Sequence, residues 1–440
     1  MASIVDTLVV FYHPARPGLH KRLRAEYRHP PAYVEASHPA AALLDGEQHG
    51  WSVAALAITP ITETVYYWEE TLKEANDAKT LYNLAPSAYA KRLDLYIPPR
   101  LAKTVEVATV PTPGENAGWR FQATPAHTLL HTLLHIIDWS VQQPLRKTGP
   151  VRLYAEVSLA PPHVAKVIGE ATRLTAMLLA AARNQPVEHA VYTAPQPPSH
   201  TRRPPLIDLQ ELERRVYNPV EALRSATLEA LAETPHGHPL APRGPKARPP
   251  RELQRRLQRL AEKARSIAAV VAAALPHAAL ALACTEQNPL NTLHRILAEA
   301  VEADLENTTL QKYREGGVVA HHLEPNPTHL KLAMHAMITS AALARQCSLV
   351  REGIDPEELP RLAAQLPTPA AETTASAIQR LLAEKPWQTT DPKKTPCNDN
   401  NIHEAITLLL LHPATIEERN GKLHPKTECI RAAAKQLAKP

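Results

Sequence analysis

The chain has 440 residues, 44% of them hydrophobic and 21% charged, enough for two or three domains with separate cores and ordinary for a globular protein. Its +5 formal charge is compatible with an RNA or phosphate ligand, while two Phe residues exclude a broad aromatic stacking platform. Four widely spaced cysteines (Cys284, Cys347, Cys397, Cys429) without a CxxC pair argue against a zinc ribbon and a dense disulfide framework.

Forty-three prolines against thirteen glycines is an unusual balance. Proline lowers the entropy of unfolded loops, so it suits a heat-stable protein, although a GC-rich genome produces the same composition. The first residues, Met1 to Pro14, carry a short apolar run without a basic leader and read as a strand rather than a signal peptide. No stretch has the length and apolarity of a membrane span, so no membrane association and a cytoplasmic location are expected.

In chain order, Val5–Tyr12 is an apolar, β-branched run stopped by His13-Pro14, which predicts a buried strand. Val53–Ile58 repeats the pattern. A helix follows from Val65 to about Tyr82 with Thr62 or Thr64 as its cap, and Lys103–Val110 is a third strand. Pro125 opens an amphipathic helix with Leu130, Leu133, Leu134, Ile137 and Val141 on one face. Val151–Val157 is a strand, Pro162–Ala182 a long helix and Glu188–Thr193 a further strand. This alternation implies a largely parallel sheet covered on both faces.

After Pro195 the alternation stops. Leu/Ala/Glu/Arg-rich segments predict helices at Leu206–Glu233, Arg251–Leu275, Thr292–Leu305, Leu330–Arg345, Thr374–Glu384 and Asn401–Leu411. His236–Pro250 is Pro-rich, basic and aperiodic, and reads as a linker. The expected architecture is therefore an α/β ligand-sensing domain over residues 1–200, a helical and Pro/basic-rich connector over 201–250, and an all-α effector domain over 251–440.

Ligands of open parallel sheets bind beyond the carboxyl ends of strands. Two loops meet that condition: Tyr12–Gly18, with His13, Pro14 and Arg16, and Glu156–Pro162, with Ser158, Leu159 and Ala160. Arg16 or Ser158 could hydrogen-bond a phosphodiester there, and ordinary strand-to-helix loops would read the same way. The absence of GxGxxG and GxxxxGK[ST] disfavours a dinucleotide enzyme or P-loop NTPase. His127, His131 and His135 recur every four residues within metal-ligand reach of one another. They lack the Glu of HExxH and border an apolar stripe, so no metal and no cofactor is expected.

Near the end, Arg419-Asn420-Gly421-Lys422-Leu423-His424 combines the parts of metal-free RNA cleavage. An Arg can hold the scissile phosphate and its developing charge, and a His can move a proton to or from the ribose oxygens. Looser Arg/His spacings occur elsewhere, including Arg314–His321. Only Arg419–His424 has the short spacing, the Asn after Arg and a place late in the helical half.

With that order of elements, the chain resembles the CRISPR-associated CARF–HEPN ribonucleases of type III systems. The resemblance rests on Phe11–Pro14 after the first strand, Glu156–Ala160 before a long helix, Val191–Pro195 at the final strand, and Arg419, Asn420 and His424 at the positions of an Arg-[Asn/Asp/His]-x3-His motif. Ser158-Leu159-Ala160 stands where that family has Thr-His-Gly. It implies a Rossmann-like CARF domain that senses cyclic oligoadenylate, with cyclic tetra-adenylate as allosteric activator. It further implies a HEPN domain that cleaves single-stranded RNA without metal, and a homodimer or higher even-numbered oligomer. The competing expectations are a CARF-type transcription regulator using the basic stretch Arg251–Arg265 on DNA, an inactive sensor or scaffold, and a CARF domain that degrades its own activator.

Overall fold

A computed structural model describes residues 4–13, 24–29, 32–36, 39–48, 52–62, 74–91, 93, 97–98, 102–194, 206–245, 247–385, 409–412 and 414–438. The N-terminal elements are β1 (Thr7–Tyr12), β2 (Arg24–His29), β3 (Ala32–Ala36), α1 (Pro39–Gln48), β4 (Val53–Pro60), α2 (Ala78–Ala90), β5 (Val105–Val110), β6 (Gly114–Asn116), β7 (Trp119–Gln122), α3 (Pro125–Gln142), β8 (Val151–Glu156), α4 (Pro162–Arg183) and β9 (Val187–Thr193). Next come β10 (Leu206–Asp208), β11 (Gln210–Tyr217), α5 (Pro219–Ala232) and β12 (Leu240–Pro242). The remaining elements are α6 (Arg251–Ala272), α7 (Pro276–Ala283), α8 (Pro289–Glu306), β13 (Thr308–Tyr313), β14 (Gly316–His321), β15 (Leu323–Pro325), α9 (Pro327–Leu343), α10 (Cys347–Glu352), α11 (Glu358–Ala364), α12 (Ala371–Glu384), β16 (Ile416–Arg419), β17 (Lys422–Pro425) and α13 (Thr427–Leu437).

The central sheet runs β11-β9-β8-β1-β4-β5, parallel throughout except for the antiparallel edge strand β11. Strands buried on both faces read as unbroken apolar runs, and every residue of β1 and β4 is buried. Alternation sorts their side chains. Leu8, Val10 and Tyr12 join Leu56 and Ile58 under α3 and α4, while Val9 and Phe11 join Ala55 and Ala57 under α1. The chain passes from β1 to β4 and β5 on one side, then returns through β8 and β9 on the other. This makes a topological switch point at the carboxyl ends of β1 and β8.

Helices run through the C-terminal half, with strands among them. The predicted helix Leu206–Glu233 is in fact β10 and β11 followed by α5. Asn218 caps α5 by accepting from the Glu221 N–H at 2.8 Å, with Pro219 as the first helical residue. A Glu/Arg-rich edge strand exposed along most of its length has the composition of a helix, and that overrode the Asn-Pro start signal. The Pro-rich connector is docked, because its β12 pairs with β15.

The four-stranded sheet β13-β14-β7-β6 unites the two halves, with β14 running parallel to β7. One apolar cluster extends from Val5 to Ala341, crossing the expected 201–250 connector. Within it, Arg173 of α4 pairs with Glu229 of α5 through two hydrogen bonds at 2.5 and 2.8 Å, and Lys331 of α9 reaches Glu170 at 2.7 Å. A second cluster lies among α6, α7, α11 to α13 and the β16–β17 hairpin. Residues 401–408 and 65–73, where parts of two helices are predicted, lie outside the described residues, and α2 is capped by Asp77 rather than Thr62 or Thr64. Among the described residues no helix is long and apolar enough to cross a membrane.

The widely spaced cysteines do pair: Cys284 at the end of α7 is bonded to Cys347 at the start of α10, 63 residues away, and Cys429 is also disulfide-bonded. Closing a loop of that length removes denatured-state entropy, so Cys347→Ser is expected to destabilise the chain by about 4 kcal/mol. Urea unfolding of the variant and of wild type with and without reductant checks this. Coincident midpoints would show that the bridge constrains nothing.

Candidate functional site

The Arg419–His424 segment lies on a β-hairpin, not at the end of a helix. Asn420 (φ 53) and Gly421 (φ 76) both occupy the left-handed region, which a two-residue type I′ turn requires and which Asn-Gly supplies at least cost. The register pairs Arg419 with Lys422 and Glu417 with His424. Residues two apart on a strand share a face, so Glu417, Arg419, Lys422 and His424 point the same way, with Arg419 and His424 on a diagonal. Buried Ile416 and Leu423 hold the other face, and Leu423 exchanges two 2.8 Å backbone hydrogen bonds with Ile354.

Arg419 is exposed and donates to both carboxylate oxygens of Glu417, from Nε at 2.9 Å and from Nη2 at 3.0 Å. That bond, more than its coulombic field, raises the guanidinium pKa. His424 is half-buried against Gly353, where a built Cβ would come within 2.6 Å of its Nε2. The hairpin therefore collects Arg419 and His424 on one surface, while Asn420 makes the turn.

At the switch point, a cavity of about 260 Å³ is lined by Tyr12, Pro60, Thr62, Thr112–Asn116 and, from the start of α4, Pro161, His163 and Val164. Thr62 and Thr112 are hydrogen-bonded at 3.0 Å, and Asn116 Nδ2 donates to the Thr62 carbonyl at 2.9 Å. Of the expected ligand residues that are described, His13 follows Tyr12 of this cavity and Ser158, Leu159 and Ala160 precede Pro161 in the chain, but none of them lines it. His13 is buried at the end of β1, and its N–H donates to the Ile58 carbonyl at 3.0 Å. Ser158 Oγ accepts from the Ala194 N–H at 2.7 Å, so it braces β9. Leu159 and Ala160 continue that turn, with Ala160 buried. Pro14 and Arg16 lie outside the described residues. Glu156, fully buried at the end of β8, accepts from the Ser158 N–H at 2.7 Å through Oε1, and its Oε2 has no partner among the described residues. Burial pushes its carboxyl up to about 7 against the hydrogen bonds of Ser158.

The third arrangement joins the two halves. Asp304 of α8 is buried and accepts from His131 Nε2 at 2.9 Å and His321 Nδ1 at 3.0 Å. His127 Nε2 lies 3.6 Å from the same carboxylate and donates to the Leu323 carbonyl at 2.5 Å. His127 Nδ1 accepts from the Thr124 N–H at 3.0 Å, which fixes the tautomer. Tyr82 Oη lies 3.2 Å from His321 Nε2. Burial pushes the Asp304 carboxyl up, but His321 and His131 more than offset it and hold the group well below its ordinary range.

Ligand atoms of His127, Asp304 and His321 lie within 4.8 Å of one another, a spacing a divalent cation could draw together. Both ring nitrogens of His127 and of His321 already have protein partners, so the chemistry present is a hydrogen-bonded clamp. Of the three histidines spaced by four, His135 stays outside it. The clamp also consumes His321, which removes Arg314–His321 as a surface catalytic pair. Asp304 carried no signal in the sequence, since its partners are supplied by α3 and β14. Thr62, Thr112, Asn116 and His163 come together only when the sheet closes.

No protein-family model matches the chain, and no curated protein matches it.

Burial pushes the imidazoles of His127 and His189 down to about 3, and those of His135, His277 and His335 down to about 4. In the unfolded chain each titrates near its ordinary value of about 6.5. Their stabilisation is complete above that pH and is lost as pH falls toward 4, at up to about 1.4 kcal/mol per pH unit for each group. Urea midpoints measured at neutral pH and about pH 5 are expected to fall steeply, and a flat profile would mean that these rings are protonated in the fold. Asp304→Ala leaves buried N–H donors unpaired and is expected to cost about 3–5 kcal/mol, read in the same assay.

Proposed function

We propose that the chain is a cyclic-oligoadenylate-activated, metal-independent endoribonuclease acting on single-stranded RNA in CRISPR type III antiviral defence. The observation that carries this reading is the shared face of Arg419 and His424 on a hairpin braced by Ile354 and Gly353. A phosphate seated on Arg419 displaces Glu417, and the guanidinium then bears the charge that develops at phosphorus. His424 takes the 2′-hydroxyl proton as the 2′-oxygen bonds to phosphorus. The bond from phosphorus to the 5′-oxygen breaks, and the leaving oxygen takes a proton. The products are a 2′,3′-cyclic phosphate and a 5′-hydroxyl. A second copy of the chain supplies the other acid–base group, which makes the active unit a homodimer or a higher even-numbered oligomer. A cytoplasmic location goes with this role.

The crevice at the switch point supports the sensing half of the reading. Its Thr and Asn side chains and the start of α4 offer hydrogen bonds to a nucleotide phosphodiester. Bound ligand favours the cleavage-competent arrangement only by its difference in affinity between the two states. Coupling has a physical route, because Gly114–Asn116 lines the crevice and is also the edge strand of the sheet whose strand β14 carries His321.

Cleavage of labelled single-stranded RNA in EDTA, with and without cyclic tetra-adenylate, tests the proposal. Activator-dependent cleavage that His424→Ala abolishes is the expected result. Glu417→Gln frees Arg419 and is expected to raise kcat/KM by up to about fivefold, the scale of an exposed ion pair. No cleavage with any cyclic oligoadenylate would leave a sensor or scaffold, and cleavage unaffected by His424→Ala would move the chemistry off the hairpin.

A further inference from the structure

The basic flank of α6 takes no part in the chemistry above. Arg251, Arg255, Arg259 and Lys263 recur every four residues, so their charges follow one another at about 6 Å along the axis. Leu253, Leu257 and Leu260 bury the opposite flank, which packs the helix into the body and leaves the basic flank outward. The C-terminal helix α13 lies against α6 and contributes Arg431 and Lys435.

Two cavities follow this flank. One, of about 430 Å³, is lined by Arg259, Lys263, Arg431 and Lys435 with Glu262 and Glu286. The other, of about 670 Å³, is lined by Arg251, Arg255 and Arg259 with Gln254 and Gln258. Arg259 lines both, so the two cavities adjoin at its side chain. Arg255, Lys263 and Lys435 have carboxylate neighbours at 3.8, 3.7 and 2.9 Å. Among the described residues Arg251, Arg259 and Arg431 have none. Exposed guanidinium groups without carboxylates, spaced along a groove, are complementary to a run of phosphates. Among the described residues no Phe, Tyr or Trp lines either cavity, so contact would be to the backbone rather than to stacked bases. The groove belongs to the catalytic end of the chain, since α13 begins two residues after Pro425 of the hairpin.

We propose that the groove along Arg251, Arg255, Arg259 and Lys263, closed by Arg431, binds the sugar-phosphate backbone of single-stranded RNA on its way to the Arg419–His424 face. The choice of RNA rests on the function proposed above, whereas the groove's affinity for a phosphate chain rests on its own charges.

The test is binding of a short labelled 2′-O-methyl RNA, which has no 2′-hydroxyl to cleave, to the full chain over a range of KCl concentrations. Arg259→Ala and Arg431→Ala are each expected to weaken binding several-fold and to lower the slope of log K against log salt by about 0.7, one lost phosphate contact. Arg259→Lys keeps the charge and should restore the slope, which a purely structural role would not do, and Lys103→Ala should leave binding unchanged. Slopes unchanged in both Ala variants would overturn the proposal, as would duplex RNA that binds as tightly with the same dependence on Arg259 and Arg431. Salt-dependent binding without cleavage under any activator would sink the ribonuclease and leave the groove standing. Cleavage with unchanged slopes would sink the groove alone.

Discussion

A carboxylate without access to water is the constraint around which the two halves are assembled. Asp304 has to be met by donors from the protein, because an unpaired buried charge costs several kcal/mol. The donors come from opposite halves of the chain: His131 from a helix packed on the central sheet, and His321 from the last residue of β14. Neither half can shift by much without stripping a hydrogen bond from the buried charge. The parallel pairing of β14 with β7 gives the same seam a backbone ladder, so main-chain and side-chain bonding enforce one geometry.

That seam bears on communication because of where β6 lies. Gly114–Asn116 forms one wall of the switch-point crevice and is also the outer strand of the sheet whose inner strands are β7 and β14. A ligand that repositions β6 acts on a sheet that carries His321 directly into contact with Asp304. Spatial continuity of this kind is a route for coupling, and its strength is a free energy to be obtained by measurement. The uncapped Oε2 of Glu156 at the same end of the sheet adds a group that burial brings to about 7, near neutrality, so its protonation can change with what lies beside it.

How much of this could be read from the sequence depended on how local the cause was. β1, β4, β8 and β9 and the helices α3 and α4 follow from apolar runs and helical spacing, because burial on both faces writes itself into consecutive residues. The strands of the joining sheet were missed. Trp119–Gln122 is four residues long, and β14 alternates only briefly before ending in a polar His321. Asn420-Gly421 is a local hairpin signal, set between the Arg and the His that share the hairpin face. The cluster around Asp304 was out of reach for a different reason, since its members are separated by as many as 194 positions between His127 and His321 and meet through tertiary packing. Periodicity found His127 and His131 but said nothing about which acid would face them.

The same distinction explains α6. Its heptad-like Leu253, Leu257 and Leu260 and its basic flank were both visible, and each alone pointed to a different fate. Packing decides between them: α6 touches α5, α9 and α13, so its apolar side is fully used and only the basic flank remains for a partner. Stability follows a similar logic. Cysteines bridged across 63 residues and an excess of proline each narrow the unfolded ensemble. Disulfides persist either in oxidising compartments or inside hyperthermophilic cells.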